Sequence, residues 1–145
     1  NILLVLYLYL HTFLNTMRIL LDKSQSNIEA AELLHREEMY ASSVHCSYYS
    51  SIQLMRHLLF NKFGYDDIEF DGRPEVQDKG SHNFLFGFLR TKIDPKESRS
   101  YNIYLQQLKD HRKRADYMQI KILEVDSEKA LSLATNLNSL LKVLL

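Results

Sequence analysis

The chain has little punctuation: two prolines, four glycines, one cysteine and no tryptophan in 145 residues. So few Gly and Pro argue against many short strands joined by turns and leave a few long helices. The lone cysteine, Cys46, has no second cysteine in the chain to form a disulfide with. No Cys/His cluster has the spacing of a zinc site, so no metal and no cofactor is expected. A cytoplasmic setting is the natural reading of that cysteine usage. Charge of one sign is also lacking, because 18 Lys and Arg balance 18 Asp and Glu. The field of the whole molecule therefore draws in neither nucleic acid nor an anionic membrane, and any such attraction must come from a local patch. There is no Gly-rich phosphate loop and no nucleophile elbow. Asp66, Asp67, Glu69 and Asp71 lack the calcium-loop pattern and read as a flexible acidic loop.

The length suits one domain with a single packed core, and 46% hydrophobic with 25% charged residues is ordinary for a globular chain. Residues 2–10 form an unbroken apolar run. No basic segment precedes it and no small-residue cleavage site follows, so it makes a poor secretory signal. It is also shorter than the roughly 20 apolar residues that span a bilayer. Widening the window to Leu21 brings in His11, Asn15 and Arg18, and no membrane association is expected. Residues 1–16 read as an extension outside the domain proper, pairing with another chain to hide its apolar face. Residues 17–145 read as the domain.

Apolar positions at helical spacing predict a first helix over about 18–38, through Leu21, Ile28, Ala31 and Leu34. A second, over about 40–62, carries Ala41, Val44, Tyr48, Ile52, Met55 and Leu59 on one face. Ser42, Ser43, Cys46, Ser47, Ser50 and Ser51 fill its other positions. Such small residues admit a close neighbour, which marks this helix as central or as a dimer contact, and Gly64 ends it. Residues 65–80 read as a long acidic loop and 81–91 as a short helix. A third long helix is expected to run to Tyr117, with Pro95 in its first turn and Asp94 as its cap. Residues 119–125 alternate enough to be extended. Asp126 is expected to cap a last helix through Ala130, Leu133, Ala134, Leu137, Leu140, Leu141 and Leu144. The expected fold is all-α: an antiparallel up-and-down four-helix bundle with an additional short helix and a long acidic loop.

Two stretches place polar, ring-bearing side chains where a helical bundle ordinarily keeps apolar ones. The first enters as Tyr40 and Ala41 and carries Tyr48, Tyr49 and Ser50. The second is Arg112, Lys113, Arg114, Ala115, Asp116 and Tyr117. Gly80, Ser81 and His82 open the short helix between them. In this order and spacing, over about residues 25–145, the chain resembles the small prokaryotic HEPN proteins (higher eukaryotes and prokaryotes nucleotide-binding). The resemblance implies an antiparallel helical bundle that dimerises and binds nucleotide or RNA, often beside a small nucleotidyltransferase partner. Some members are ribonuclease toxins with that partner as antitoxin. The nuclease members carry Arg followed four to six residues later by His. Here His111 precedes Arg112 and no His follows it, so a non-catalytic binding module is the leading expectation.

Each candidate residue has a functional and a bland reading. Arg112, which the resemblance selects, can grip a phosphate through its guanidinium or pair with Asp116 at i,i+4. His111, Lys113, Arg114 and Lys109 complete a basic cluster that is otherwise a solvated helix face. Tyr48, Tyr49 and Tyr117 can stack on a base or serve as core residues whose hydroxyls reach a polar partner; a bond from Tyr48 or Tyr49 to Asp116 is the specific expectation. His82, at a helix start that favours anions, is a phosphate ligand, a proton-transfer group or a loop residue. His45 and His57 read as satisfied helix residues, and Cys46 as buried and inert. The nucleotide- or RNA-binding set is thus Tyr48, Tyr49, His82, Arg112, Asp116 and Tyr117. If the chain is instead a metal-independent ribonuclease, His82 or His111 serves as acid or base and Arg112 stabilises the phosphorane charge. A purely structural dimerising protein is the third reading.

Overall fold

A computed structural model describes residues 2–145, and with 81% helix and no strand among them the chain is all-α. Helix α1 spans Ile2–Arg36, α2 Tyr40–His57, α3 Pro74–Lys79, α4 Ser81–Arg90, α5 Ser98–Tyr117 and α6 Glu124–Lys142. Helix α2 runs on through a π-turn at Leu58–Lys62, and a 3₁₀ turn occupies Phe70–Gly72.

Helix α2 is the hub, packed against α1, α4, α5 and α6. Of its expected apolar face, Ala41, in the first turn, is exposed, whereas Val44, Tyr48, Ile52, Met55 and Leu59 are buried as the spacing predicts. They meet Leu105 and Leu108 of α5, Ala130, Leu133, Ala134, Leu137 and Leu141 of α6, and Ala31 of α1 in the core. The serines explain how α1 and α6 approach the same helix. Ser43 Oγ donates to the Ala31 carbonyl at 2.7 Å. Ser24 and Ser50 each donate to the other's carbonyl oxygen, at 2.7 and 3.0 Å. Asn138 of α6 accepts from Ser51 at 2.8 Å and donates to Ser50 at 2.9 Å. Small side chains bring the backbones together, and each buried hydroxyl finds a partner, which a dry interior requires.

The connections depart from the expected pattern in several places. Helix α1 does not begin near Arg18 but continues from Ile2, and residues 2–16 are exposed throughout; Asn1 lies outside the described residues. By length and composition α1 is also apolar enough to cross a membrane. It ends in a Schellman-type turn, with Met39 N–H on the Leu34 carbonyl and Glu38 N–H on His35. Glu38 takes the left-handed position there at φ 59°, a conformation that side chains adopt at a cost of roughly 1–2 kcal/mol. Gly64, at φ 73°, closes the π-turn as the sequence suggests.

Residues 65–80 are not one long loop. Phe70 and Val76 are buried, and Phe70 packs edge-on to Phe60, Tyr65 and Phe84, so apolar anchors hold the acidic segment in two short helical turns. Gly80, at φ 80° and ψ 143°, joins α3 to α4 in a region essentially restricted to glycine. Asp94 and Pro95 form a turn ahead of α5 rather than its cap and first turn: Asp94 Oδ1 accepts from Lys96 N–H at 2.9 Å, and α5 starts at Ser98. Residues 119–123 are irregular with no strand to pair with. Asp126 acts from inside the first turn of α6, where it accepts from Leu123 N–H at 2.9 Å.

Asn138 bridges two buried serines, so Asn138→Ala takes away the acceptor of the Ser51 hydroxyl and the bond that Ser50 accepts, and opens a small cavity. Urea unfolding is expected to show a loss of about 2–3 kcal/mol.

Candidate functional site

Two helix edges face one another on the side of α2 away from the buried serines Ser43, Ser47 and Ser50. Helix α2 presents His45, Tyr48 and Tyr49, spaced i, i+3 and i+4 and therefore on one face. The last turns of α5 present Arg112, Asp116 and Tyr117. Arg112 is the centre. Its Nη2 donates to Tyr49 Oη at 2.9 Å and to Tyr117 Oη at 2.8 Å. Its guanidinium carbon lies 5.1, 5.6 and 4.8 Å from the ring centroids of Tyr48, Tyr49 and Tyr117, within cation–π range. Tyr48 and Tyr49 meet edge to face at 5.2 Å.

Asp116 joins the two helices. Its Oδ2 sits 2.8 Å from Arg112 Nε, yet that buried N–H makes no hydrogen bond of acceptable geometry. The contact is a close charge pair whose donor is not aligned with the oxygen. On its other side the carboxylate meets His45 Nδ1, at 2.9 Å to Oδ2 and 3.1 Å to Oδ1. A carboxylate only accepts, so His45 carries its proton on Nδ1 here. Arg112 and Asp116 are largely covered, with side chains 18% and 16% exposed, whereas His45 is 47% exposed. Beside them lies an open hollow of about 410 Å³ lined by Ala41, Ser42, His45, Cys46, Ala115 and Asp116. A larger hollow of about 490 Å³, bounded by Phe13, Lys23, Arg56 and Tyr65, touches none of these six residues.

Burial sets the protonation states. It pushes the Tyr48 hydroxyl up to about 12, with Arg112 opposing. Desolvation works against the Arg112 charge, but Tyr49, Tyr117, Asp116 and Tyr48 outweigh it and hold the guanidinium above its ordinary value. Burial, then Asp116, raises the Cys46 thiol. Cys46 is half-buried at the hollow rather than enclosed, and these shifts keep it protonated and a poor nucleophile. His82, second residue of α4, reaches the cluster through Tyr48, whose Oη lies 3.4 Å from its Nδ1. Burial lowers its proton affinity first, then Arg112, Arg56 and Lys109, with Asp71 opposing.

Tyr48, Tyr49, Arg112, Asp116 and Tyr117 are therefore brought together, with His82 at their edge. His111 is not among them. It turns toward α6, 3.9 Å from Asp126, which Arg114 Nη1 also meets at 3.1 Å. The basic cluster is thus split between two faces of α5. The expected bond from Tyr48 or Tyr49 to Asp116 does not form, because Arg112 takes the Tyr49 hydroxyl while Arg112 and His45 flank the carboxylate. His45 is the site residue that sequence reasoning missed. Its i,i+4 spacing to Tyr49, with ring centroids 4.6 Å apart, is the signal that marks the shared face.

Comparisons with models of protein families, with curated proteins and with solved structures find no match to this chain.

His57, His82 and His111 are each held below the ordinary value of 6.5, chiefly by burial. Between the depressed folded values and 6.5 the unfolded chain binds protons that the folded one refuses, so stability rises with pH in that window. The contribution is complete above pH 6.5 and is lost as pH falls through the folded values. Denaturant midpoints measured stepwise from pH 7.5 to 5 are expected to fall, and His82→Gln to flatten part of that fall.

Proposed function

We propose that this chain is a non-catalytic HEPN-like binding module for a nucleotide or RNA, built as a four-helix bundle of α1, α2, α5 and α6. Dimerisation, a nucleotidyltransferase-type partner and a cytoplasmic setting belong to the same proposal. It rests on the resemblance carried by Tyr48, Tyr49, Gly80, Ser81, His82, Arg112, Asp116 and Tyr117. The observation that supports it most is the environment of Arg112, a cation held among three tyrosine rings at the edge of the protein. Tyr117 is 68% exposed with Arg112 against its ring. A base stacked on the free side of Tyr117 would extend that stack, and an aromatic face accepts any base. Both Arg112 hydrogen bonds leave from Nη2, so the fork keeps capacity for a phosphate oxygen. A purely structural role predicts that Arg112 and Asp116 satisfy each other with no cavity beside them. The hollow against Asp116 and the unaligned Nε–H count against it.

One observation favours a second reading, the ribonuclease. His45 occupies the far side of the carboxylate that Arg112 pairs with, and its Nε2 is left free in the basic tautomer. A carboxylate-oriented imidazole of this kind acts as a general base. His45 Nε2 would take the 2′-hydroxyl proton, the 2′-oxygen would bond to phosphorus as the bond to the 5′-oxygen breaks, and solvent would protonate the leaving oxygen. In this reading His45 replaces His82 and His111 as the base.

A single gel separates the readings, using mixed-sequence labelled RNA at low salt with the native protein, Arg112→Ala and His45→Gln. The binding module predicts retarded, intact RNA, a retardation lost as salt rises, and affinity weakened at least about tenfold in Arg112→Ala, since a charge-assisted contact is worth about 1.5–3 kcal/mol. Cleavage that disappears in His45→Gln establishes the ribonuclease instead. The absence of both retardation and cleavage refutes the ribonuclease and RNA binding, and leaves a free nucleotide as the ligand to test by titration with AMP.

A further inference from the structure

We infer that the rim between α4 and α5 is a phosphate subsite, with Lys109 and Arg112 each held over a ring beside that of His82. The inference rests on the nucleotide- or RNA-binding reading and names the chemical group this part of the site takes. Lys109 and Arg112 are three residues apart on α5, hence on one face. Arg112 lies over the Tyr48 ring at 5.1 Å, and the Tyr48 ring is 6.4 Å from that of His82. The His82 ring is 6.0 Å from Phe86, and Lys109 Nζ lies 5.0 Å over Phe86. Tyr48 and Phe86, two rings beside the imidazole, thus each carry a cation.

Charge accounting shows what is missing there. Arg56 of α2, held over Phe60 at 5.1 Å, adds a third cation whose field reaches His82, while Asp71 is the acid felt at the same ring. Among the described residues neither Lys109 nor Arg56 forms an ion pair, and the one carboxylate that Arg112 has is shared with His45. A chain with no net charge has therefore gathered uncompensated positive charge around a histidine whose proton affinity is lowered first by burial and then further by these cations. All four side chains are partly exposed. A phosphate suits this rim: tetrahedral oxygens accept from an ammonium and a guanidinium, and the added negative charge favours a proton on His82, which then becomes a further donor.

The test follows the His82 ring signal by NMR through a pH titration of the full chain, in chloride and then with inorganic phosphate. The expected result is a saturable rise in His82 proton affinity of at least about tenfold, the effect of an opposite charge within about 4–6 Å. His57 should not follow, and Lys109→Gln should weaken the phosphate effect several-fold. No rise, an equal rise at His57, or an effect indifferent to Lys109→Gln overturns the subsite. Parallel titrations with AMP and with a short single-stranded RNA distinguish the source of the phosphate, since either one reproducing the rise supports the subsite. If inorganic phosphate saturates and neither nucleic-acid ligand binds, the subsite stands and the nucleotide reading falls. If AMP or RNA binds while His82 is unmoved, the reading stands and the subsite falls.

Discussion

The hydroxyl seam along α2 is the constraint on which the rest of the molecule depends. Ser24, Ser43, Ser50 and Ser51, with Asn138, fasten α2 to α1 and α6 through hydrogen bonds between buried groups. An apolar contact tolerates sliding, because dispersion has little direction. A set of buried hydroxyls does not, because a shift of one residue leaves donors without acceptors at about 1–3 kcal/mol each. Register between these helices is therefore fixed, and the opposite edge of α2 becomes a rigid wall. His45, Tyr48 and Tyr49 stand on that wall, so the site inherits its precision from groups on the far side of the helix.

Against this wall α5 brings one cation and one anion. Arg112 and Asp116 are both largely covered, and a covered ion pair is a poor source of net stability because desolvation consumes most of the attraction. Here the pair is also imperfect, with an unaligned Nε–H. Apolar residues of similar size would hold α5 to α2 at least as well. An arrangement that sacrifices stability in this way belongs with function more readily than with architecture. The tyrosines around Arg112 keep the guanidinium charged and oriented while leaving part of its fork toward solvent. A rigid, partly desolvated cation of this kind is what the proposed binding of an anionic, ring-bearing ligand would use.

The all-α character of the chain is legible in the sequence because it depends on local pattern. Leu133, Ala134, Leu137 and Leu141, and likewise Val44, Ile52, Met55 and Leu59, recur at helical spacing and are buried as that spacing requires. Local signals mislead where tertiary contacts overrule them. Residues 65–80 look like a loop by charge, yet Phe70 and Val76 anchor them to the core. Asp94 and Pro95 look like a helix start, but the backbone first closes a turn and α5 begins three residues later. In the site, Arg112 with Asp116 was readable as an i,i+4 pair, and the tyrosines were readable as polar rings on a core helix. Which hydroxyl meets which partner was not, because that depends on the rotation of α5 against α2. The same rotation sends His111 and Arg114 to Asp126 and leaves Asp116 to His45, a separation that adjacency in the sequence conceals.

If Arg112 is the ligand-facing cation proposed, its buried Nε–H offers a direct probe. Shielded from solvent, this N–H should exchange slowly and give its own signal in a nitrogen–proton correlation spectrum of the full chain. Titration with single-stranded RNA is predicted to shift that signal and the Tyr117 ring signals together, with one saturation curve. Binding that leaves both unmoved while other parts of the surface respond would contradict the account.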